Sequence, residues 1–108
     1  MTFVQKSFGV ETADAENVRI AFDQADLVLS FQDWRDVRRE LTFRDVLAFR
    51  WEEFDDEGVR NDITYEITGS AWLLRQSKLH GVPPSDYAHC KLCFNACGVL
   101  DVLCRQWA

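Results

Sequence analysis

The segment His89–Arg105 (HCKLCFNACGVLDVLCR) decides how the chain is read. Taking Ala96-Cys97-Gly98 as a three-residue loop, with Gly98 supplying the positive φ such loops use, predicts two antiparallel strands. In that register Asn95 faces Val99, Phe94 faces Leu100, Leu92 faces Val102 and Cys90 faces Cys104. Phe94, Leu100, Leu92, Val102, Cys90 and Cys104 then share one face. His89, Lys91, Cys93, Asn95, Asp101 and Arg105 occupy the other. A one-residue slip would scatter both sets, so the pattern argues for a hairpin with an apolar inner face.

The same two-residue period runs upstream. Phe3 to Phe8 reads as a first strand, and Glu11 to Asn17 as a polar connector. Val18, Ile20 and Phe22 alternate with polar or small residues in 17–23, and Leu27, Leu29 and Phe31 repeat the alternation after a Gln24-Ala25-Asp26 turn. After a turn at Asp33–Asp36, Val37, Leu41 and Phe43 mark one face of a further strand, on which Arg39 is an exception. Leu47, Phe49 and Trp51 keep the same parity, as a separate strand or as a continuation bent at Arg44-Asp45-Val46. A polar loop from Phe54 to Asn61 precedes a strand carrying Ile63, Tyr65 and Ile67.

One segment breaks the alternation. Ser70 is suited to cap a helix over 71–80, and Gly81 to end it in the left-handed conformation. Val82-Pro83-Pro84 blocks its continuation. The expected fold is mostly β (α+β), an antiparallel sheet arranged as a sandwich or partly open barrel with one short helix. It forms a single domain over 1–108, with 1–16 the least legible part.

Composition narrows the function. With 108 residues, 47% hydrophobic and 28% charged, the chain is long enough for one core and too apolar for disorder. The formal charge of -6 argues against a broad electrostatic grip on nucleic acid. The basic cluster Arg35, Arg38, Arg39 and Arg44 is interleaved with Asp33, Asp36, Glu40 and Asp45, which cancel its field. The start lacks a basic segment followed by an apolar run, and no apolar stretch approaches the ~18 residues of a membrane span. The expectation is a cytoplasmic protein that contacts neither membrane nor nucleic acid.

Cys90, Cys93, Cys97 and Cys104 are spaced C-x2-C-x3-C-x6-C. Thiolates two residues apart can share a zinc ion, but the segment alternates like a hairpin rather than folding into two Gly-rich knuckles. The expected state is buried free thiols, with no metal and no cofactor. His89 beside Cys93 and Asp101 could make a nucleophile and base at the rim of a small-ligand pocket. A satisfied structural histidine is the simpler reading.

Charge is concentrated in one place. Glu52, Glu53, Asp55, Asp56 and Glu57 place five carboxylates in six residues, and the rest of the chain is nearly neutral. The run lacks the regular ladder of a calcium loop and a contrasting partner for acid–base work. It reads as a solvated tip that discourages aggregation, or as a docking surface that steers a basic partner. Of the four tryptophans, Trp51 and Trp72 suit the core. Trp34, in a turn, and Trp107, near the end, suit an exposed interface anchor.

Three motifs together carry a resemblance: Phe43-Arg44-Asp45-Val46, Ser70-Ala71-Trp72-Leu73, and the hairpin pattern H-x4-F-N-x2-G-x2-D-V from His89 to Val102. Over residues 27 to 105 the chain is similar to short uncharacterised bacterial proteins with this pattern. Some small acidic proteins of that kind act as immunity proteins that neutralise a toxin. The resemblance implies a non-enzymatic domain binding another protein, such as a basic toxin domain. It carries over no catalytic residue, and homo-oligomer formation stays open.

Overall fold

A computed structural model describes residues 1–53, 61–94 and 97–108. The alternating segments become strands: β1 (Thr2–Gln5), β2 (Glu16–Asp23), β3 (Asp26–Gln32), β4 (Arg38–Arg44), β5 (Ala48–Glu52), β6 (Thr64–Thr68), β7 (Ala88–Phe94), β8 (Gly98–Cys104) and β9 (Gln106–Trp107). A helix, α1 (Ala71–His80), and a single 3₁₀ turn at Pro84–Asp86 lie between β6 and β7. The strands form two antiparallel sheets, ordered β1-β6-β7-β8-β5 and β2-β3-β4-β9, that do not close into a barrel.

The inner faces supply the core. Leu27, Leu29 and Phe31 of β3 and Leu41 and Phe43 of β4 meet Cys90, Leu92 and Phe94 of β7 and Leu100, Val102 and Cys104 of β8. All are essentially without solvent contact, and Phe31 meets Phe94 edge-on with ring centroids 5.2 Å apart. Burying each large side chain contributes roughly 1.5–3 kcal/mol, so the period-two pattern is also the main source of stability.

The two sheets share a corner. β4 bends at Asp45, whose φ of 52° is a left-handed conformation that aspartate tolerates, and continues as β5 in the other sheet. β8 does the same through Arg105 into β9. The Arg105 amide donates to the Arg44 carbonyl at 3.2 Å and the Leu47 amide to the Leu103 carbonyl at 2.8 Å, so the two bends stay paired. Strands that switch sheets by bending are the usual way to build such a corner. β5 is thus a separate strand in the other sheet, reached through the bend expected at 44–46.

The C-terminal hairpin keeps the expected faces in a different register. Phe94 pairs with Gly98, Leu92 with Leu100, Cys90 with Val102 and Ala88 with Cys104. Each pairing is two residues from the expected one. A period-two pattern cannot separate registers that differ by two, so the six inward residues are those expected while each direct pairing differs. Gly98 therefore lies in the strand. A Cβ there would stand 2.6 Å from the Glu52 carbonyl oxygen and 2.7 Å from Cζ2 of Trp51. Cys90 and Cys104 are diagonal rather than opposed, with sulfurs 3.9 Å apart and no disulfide.

The helix matches its expected bounds. Ser70 Oγ accepts the Leu73 amide at 3.1 Å, and Gly81, at φ 65°, closes the other end with its N–H on the Lys78 carbonyl. The first strand ends at Gln5 rather than Phe8, and Phe8 instead packs against Phe43 and Trp107 in the core.

Candidate functional site

The outer face of β7 and β8 carries the chemistry-bearing side chains. Pairing brings Lys91 opposite Asp101, and Arg50 of β5 lies opposite Asp101 from the other side. His89 Nε2 stands 2.7 Å from Asp101 Oδ1, and His89 Nδ1 stands 2.8 Å from Ser70 Oγ. A carboxylate only accepts, so Nε2 donates to Asp101, and the Ser70 hydroxyl meets the ring's other nitrogen. Lys91 Nζ is 3.3 Å from each Asp101 oxygen, and Arg50 Nε is 3.3 Å from Oδ2. Ser70, His89, Lys91 and Asp101 are all buried.

Trp72 of α1 roofs this cluster. Its ring meets His89 edge-on at 5.3 Å, and the Arg50 guanidinium lies 4.4 Å from its centroid. Burial alone would push the Asp101 carboxyl up. The His89 hydrogen bond and the charges of Lys91 and Arg50 outweigh it and hold the group below the ordinary carboxylate range.

Ser70, His89 and Asp101 thus form a hydrogen-bonded row of serine, histidine and carboxylate. Its environment is that of a structural lock, since the Ser70 oxygen already accepts the Leu73 amide as the helix cap. Of the residues expected at a pocket rim, His89 and Asp101 are joined. Cys93 is buried farther along β7, where its backbone amide bonds the Ile63 carbonyl. A cavity of about 680 Å³ lies elsewhere, between the β1–β2 connector and the start of β6, lined by Lys6, Glu11, Thr12 and Asp62 among others. Among the described residues no group of three or more His, Cys, Asp or Glu is placed to hold a metal ion.

A second feature lies at the end of the sandwich where β3 turns into β4. Trp34 is 55% exposed, yet its indole N–H donates to Glu11 Oε2 at 2.8 Å and the Arg35 guanidinium lies 5.2 Å from its ring. The turn itself is fixed by buried Asp33. Oδ1 accepts the Arg35 and Val37 amides at 2.9 and 3.0 Å, while Oδ2 accepts Arg39 Nε at 2.9 Å and Arg35 at 3.3 Å. Burial raises the Asp33 carboxyl, but these four donors more than reverse it, leaving the pKa at about 2.

β5 ends in Glu52 toward this same end. Glu52 pairs with Val99 at the start of β8, next to Cys97, whose thiol reaches the Ala15 carbonyl at 3.5 Å beside the β2–β3 strand ends. Glu52 is half-buried and Glu53 exposed. Asp55, Asp56 and Glu57 lie outside the described residues. Trp107 belongs elsewhere: it pairs with Phe43 in β9, packs on Phe8 at 5.0 Å and is half-buried. Its expected exposure fails because the chain end forms a strand.

Ser70 is more than the expected cap, and Lys91 and Arg50 are partners of Asp101 that the sequence pattern does not predict. The Ser70–His89 link spans 19 residues, and the Arg50–Asp101 link 51, with no local signal for either. The geometry defines a two-sheet antiparallel β domain with an outer helix locked by a buried polar cluster. No family model, curated protein or solved structure matches the chain.

Proposed function

We propose that the chain is a non-enzymatic protein-binding domain of the immunity type, neutralising a basic partner through its acidic run. The observation that carries this reading is the exposed Trp34, hydrogen-bonded to Glu11 at the end of the sandwich toward which β5 ends in Glu52. An aromatic held in place before binding loses little freedom on contact, which is the property of an interface anchor. Carboxylates at that end would accelerate encounter with a basic surface and orient it. Buried Ser70, His89 and Asp101 hold the scaffold in this reading.

The test is recovery of partners from native-host extract by the full chain, compared with Trp34→Ala and with a Glu52→Lys/Glu53→Lys double variant. The expected result is one basic protein retained by the wild type and depleted at least tenfold by either variant. Its association rate with the wild type should fall steeply with salt, and less steeply with the charge-reversed variant. Equal recovery by all three chains overturns the reading.

A further inference from the structure

β2 is the edge of the four-stranded sheet, and its open side has a self-complementary pattern. The Asp33 amide donates to the Val37 carbonyl, so Leu27, Leu29 and Phe31 direct their backbone groups to β4 and the alternate residues of β3 direct theirs to β2. Arg19, Ala21 and Asp23 pair with Ser30, Val28 and Asp26. The N–H and C=O groups of Ile20 and Phe22 therefore point away from the sheet, beyond a bulge that interrupts the ladder between Glu16 and Arg19. Arg19, Ala21, Phe22 and Asp23 are exposed. Phe22 is 47% exposed and stacks only partly on Phe49, itself 37% exposed. Arg19 and Asp23 have no ion-pair partner among the described residues.

We infer that β2 pairs with β2 of a second copy of this chain, antiparallel, about a two-fold axis at Ala21. Only registers that place outward-pointing residues opposite one another can form the ladder. Of these, the one pairing Ile20 with Phe22 of the other copy sets Arg19 against Asp23 twice, both as non-hydrogen-bonded pairs whose side chains approach closely. Ala21 then faces itself, where a small side chain suits the axis. Moving the register by two in one direction pairs Arg19 with Ala21. Moving it by four sets Arg19 against Arg19. Charge thus selects one register, and in it Ile20 and Phe22 of one copy cover the exposed Phe22 of the other. A five-residue ladder is small against the roughly 1,200–2,000 Å² of stable interfaces, so the association is a concentration-dependent one.

The test is a cysteine at the axis. In the inferred register the two Cα atoms at position 21 lie about 4.5 Å apart, within disulfide reach. The full-length Ala21→Cys protein should form a disulfide-linked dimer under mild oxidation. Adding Arg19→Asp should reduce its yield at least tenfold, by setting two carboxylates opposite each other. Adding Asp23→Arg to that variant should restore the yield, because the pair is then reversed rather than broken. Light scattering on the cysteine-free-edge wild type should show a mass rising toward twice 12.5 kDa with concentration. A wild type that stays monomeric at about 1 mM, a yield unaffected by Arg19→Asp, or a swap that fails to restore it overturns the proposal.

Discussion

His89 Nε2 lies 2.7 Å from Asp101 Oδ1 across β7 and β8, and through His89 Nδ1, 2.8 Å from Ser70 Oγ, this pair is joined to the helix cap. The imidazole is held by the carboxylate on one side and by the helix cap on the other. Helix α1 contributes few apolar contacts of its own: Leu74 and Leu79 face solvent, and Ser77 is its buried residue. The polar row and the Trp72 ring over it therefore set where the helix sits.

Asp101→Ala should destabilise the domain by about 3–5 kcal/mol, since it leaves Lys91, His89 and Arg50 clustered without the carboxylate they share. Urea denaturation should show a lower midpoint with an unchanged slope. A loss under 1 kcal/mol would mean that the cluster is well solvated without Asp101.

Ser70→Ala removes a cap and a hydrogen-bond partner of a buried imidazole in one step. The expected cost is about 1–3 kcal/mol, and amide exchange over the first turn of α1 should quicken more than exchange in the core strands. Ser70→Thr keeps the hydroxyl and should recover most of the loss. A uniform increase in exchange over the whole domain would contradict a local role for the cap.

The pH dependence should centre on Asp33. Its pKa is about 2 when folded, against 3.8 ordinarily, so it binds a proton less readily in the native state. Its stabilising contribution is fully present above about pH 4 and is lost as pH falls through about 2. Denaturation midpoints across that interval should fall for the wild type and change less for Asp33→Asn. The variant should also be less stable at neutral pH, because the β3–β4 turn loses its charged acceptor. Parallel curves would place the acid sensitivity on other carboxylates.

Legibility in the sequence followed the range over which each interaction acts. The helix bounds could be read because Ser70, Gly81 and Pro83 act within a few residues. The inner-face set Cys90, Leu92, Phe94, Leu100, Val102 and Cys104 could be read because alternation is local. The register could not, since a two-residue shift leaves the alternation unchanged. Trp107 was misplaced because a two-residue strand carries no pattern, and its pairing with Phe43 depends on the corner between the sheets. The Lys91–Asp101 contact depends on the hairpin register and the Arg50–Asp101 contact on strand order, and local patterning encodes neither.

The thiols should divide three to one. Cys90, Cys93 and Cys104 are buried, and Cys97 is half-buried. The hydrogen bond with Cys104, together with burial, pushes the Cys90 thiol far up and makes its reactive thiolate rare. A thiol reagent at neutral pH should label one cysteine quickly in the native protein, and mass mapping should assign it to Cys97. Denaturant should release the other three together. Rapid native labelling of Cys93 would instead indicate an accessible site on the outer face of β7.

Gly98 gives the sharpest test of the hairpin register. Its φ of 151° and its approach to the Glu52 carbonyl and the Trp51 ring leave no room for a methyl group. The neighbour on one side is backbone, so relief requires β5 to move away from β8. Gly98→Ala should therefore cost about 1–3 kcal/mol, as overpacking generally does, and should perturb Trp51 fluorescence in the folded state. In the alternative register, with Gly98 in the loop, alanine would strain only the turn and leave Trp51 undisturbed. A variant that loses stability with native Trp51 emission would thus favour the loop placement, whereas a shifted emission places Gly98 against β5.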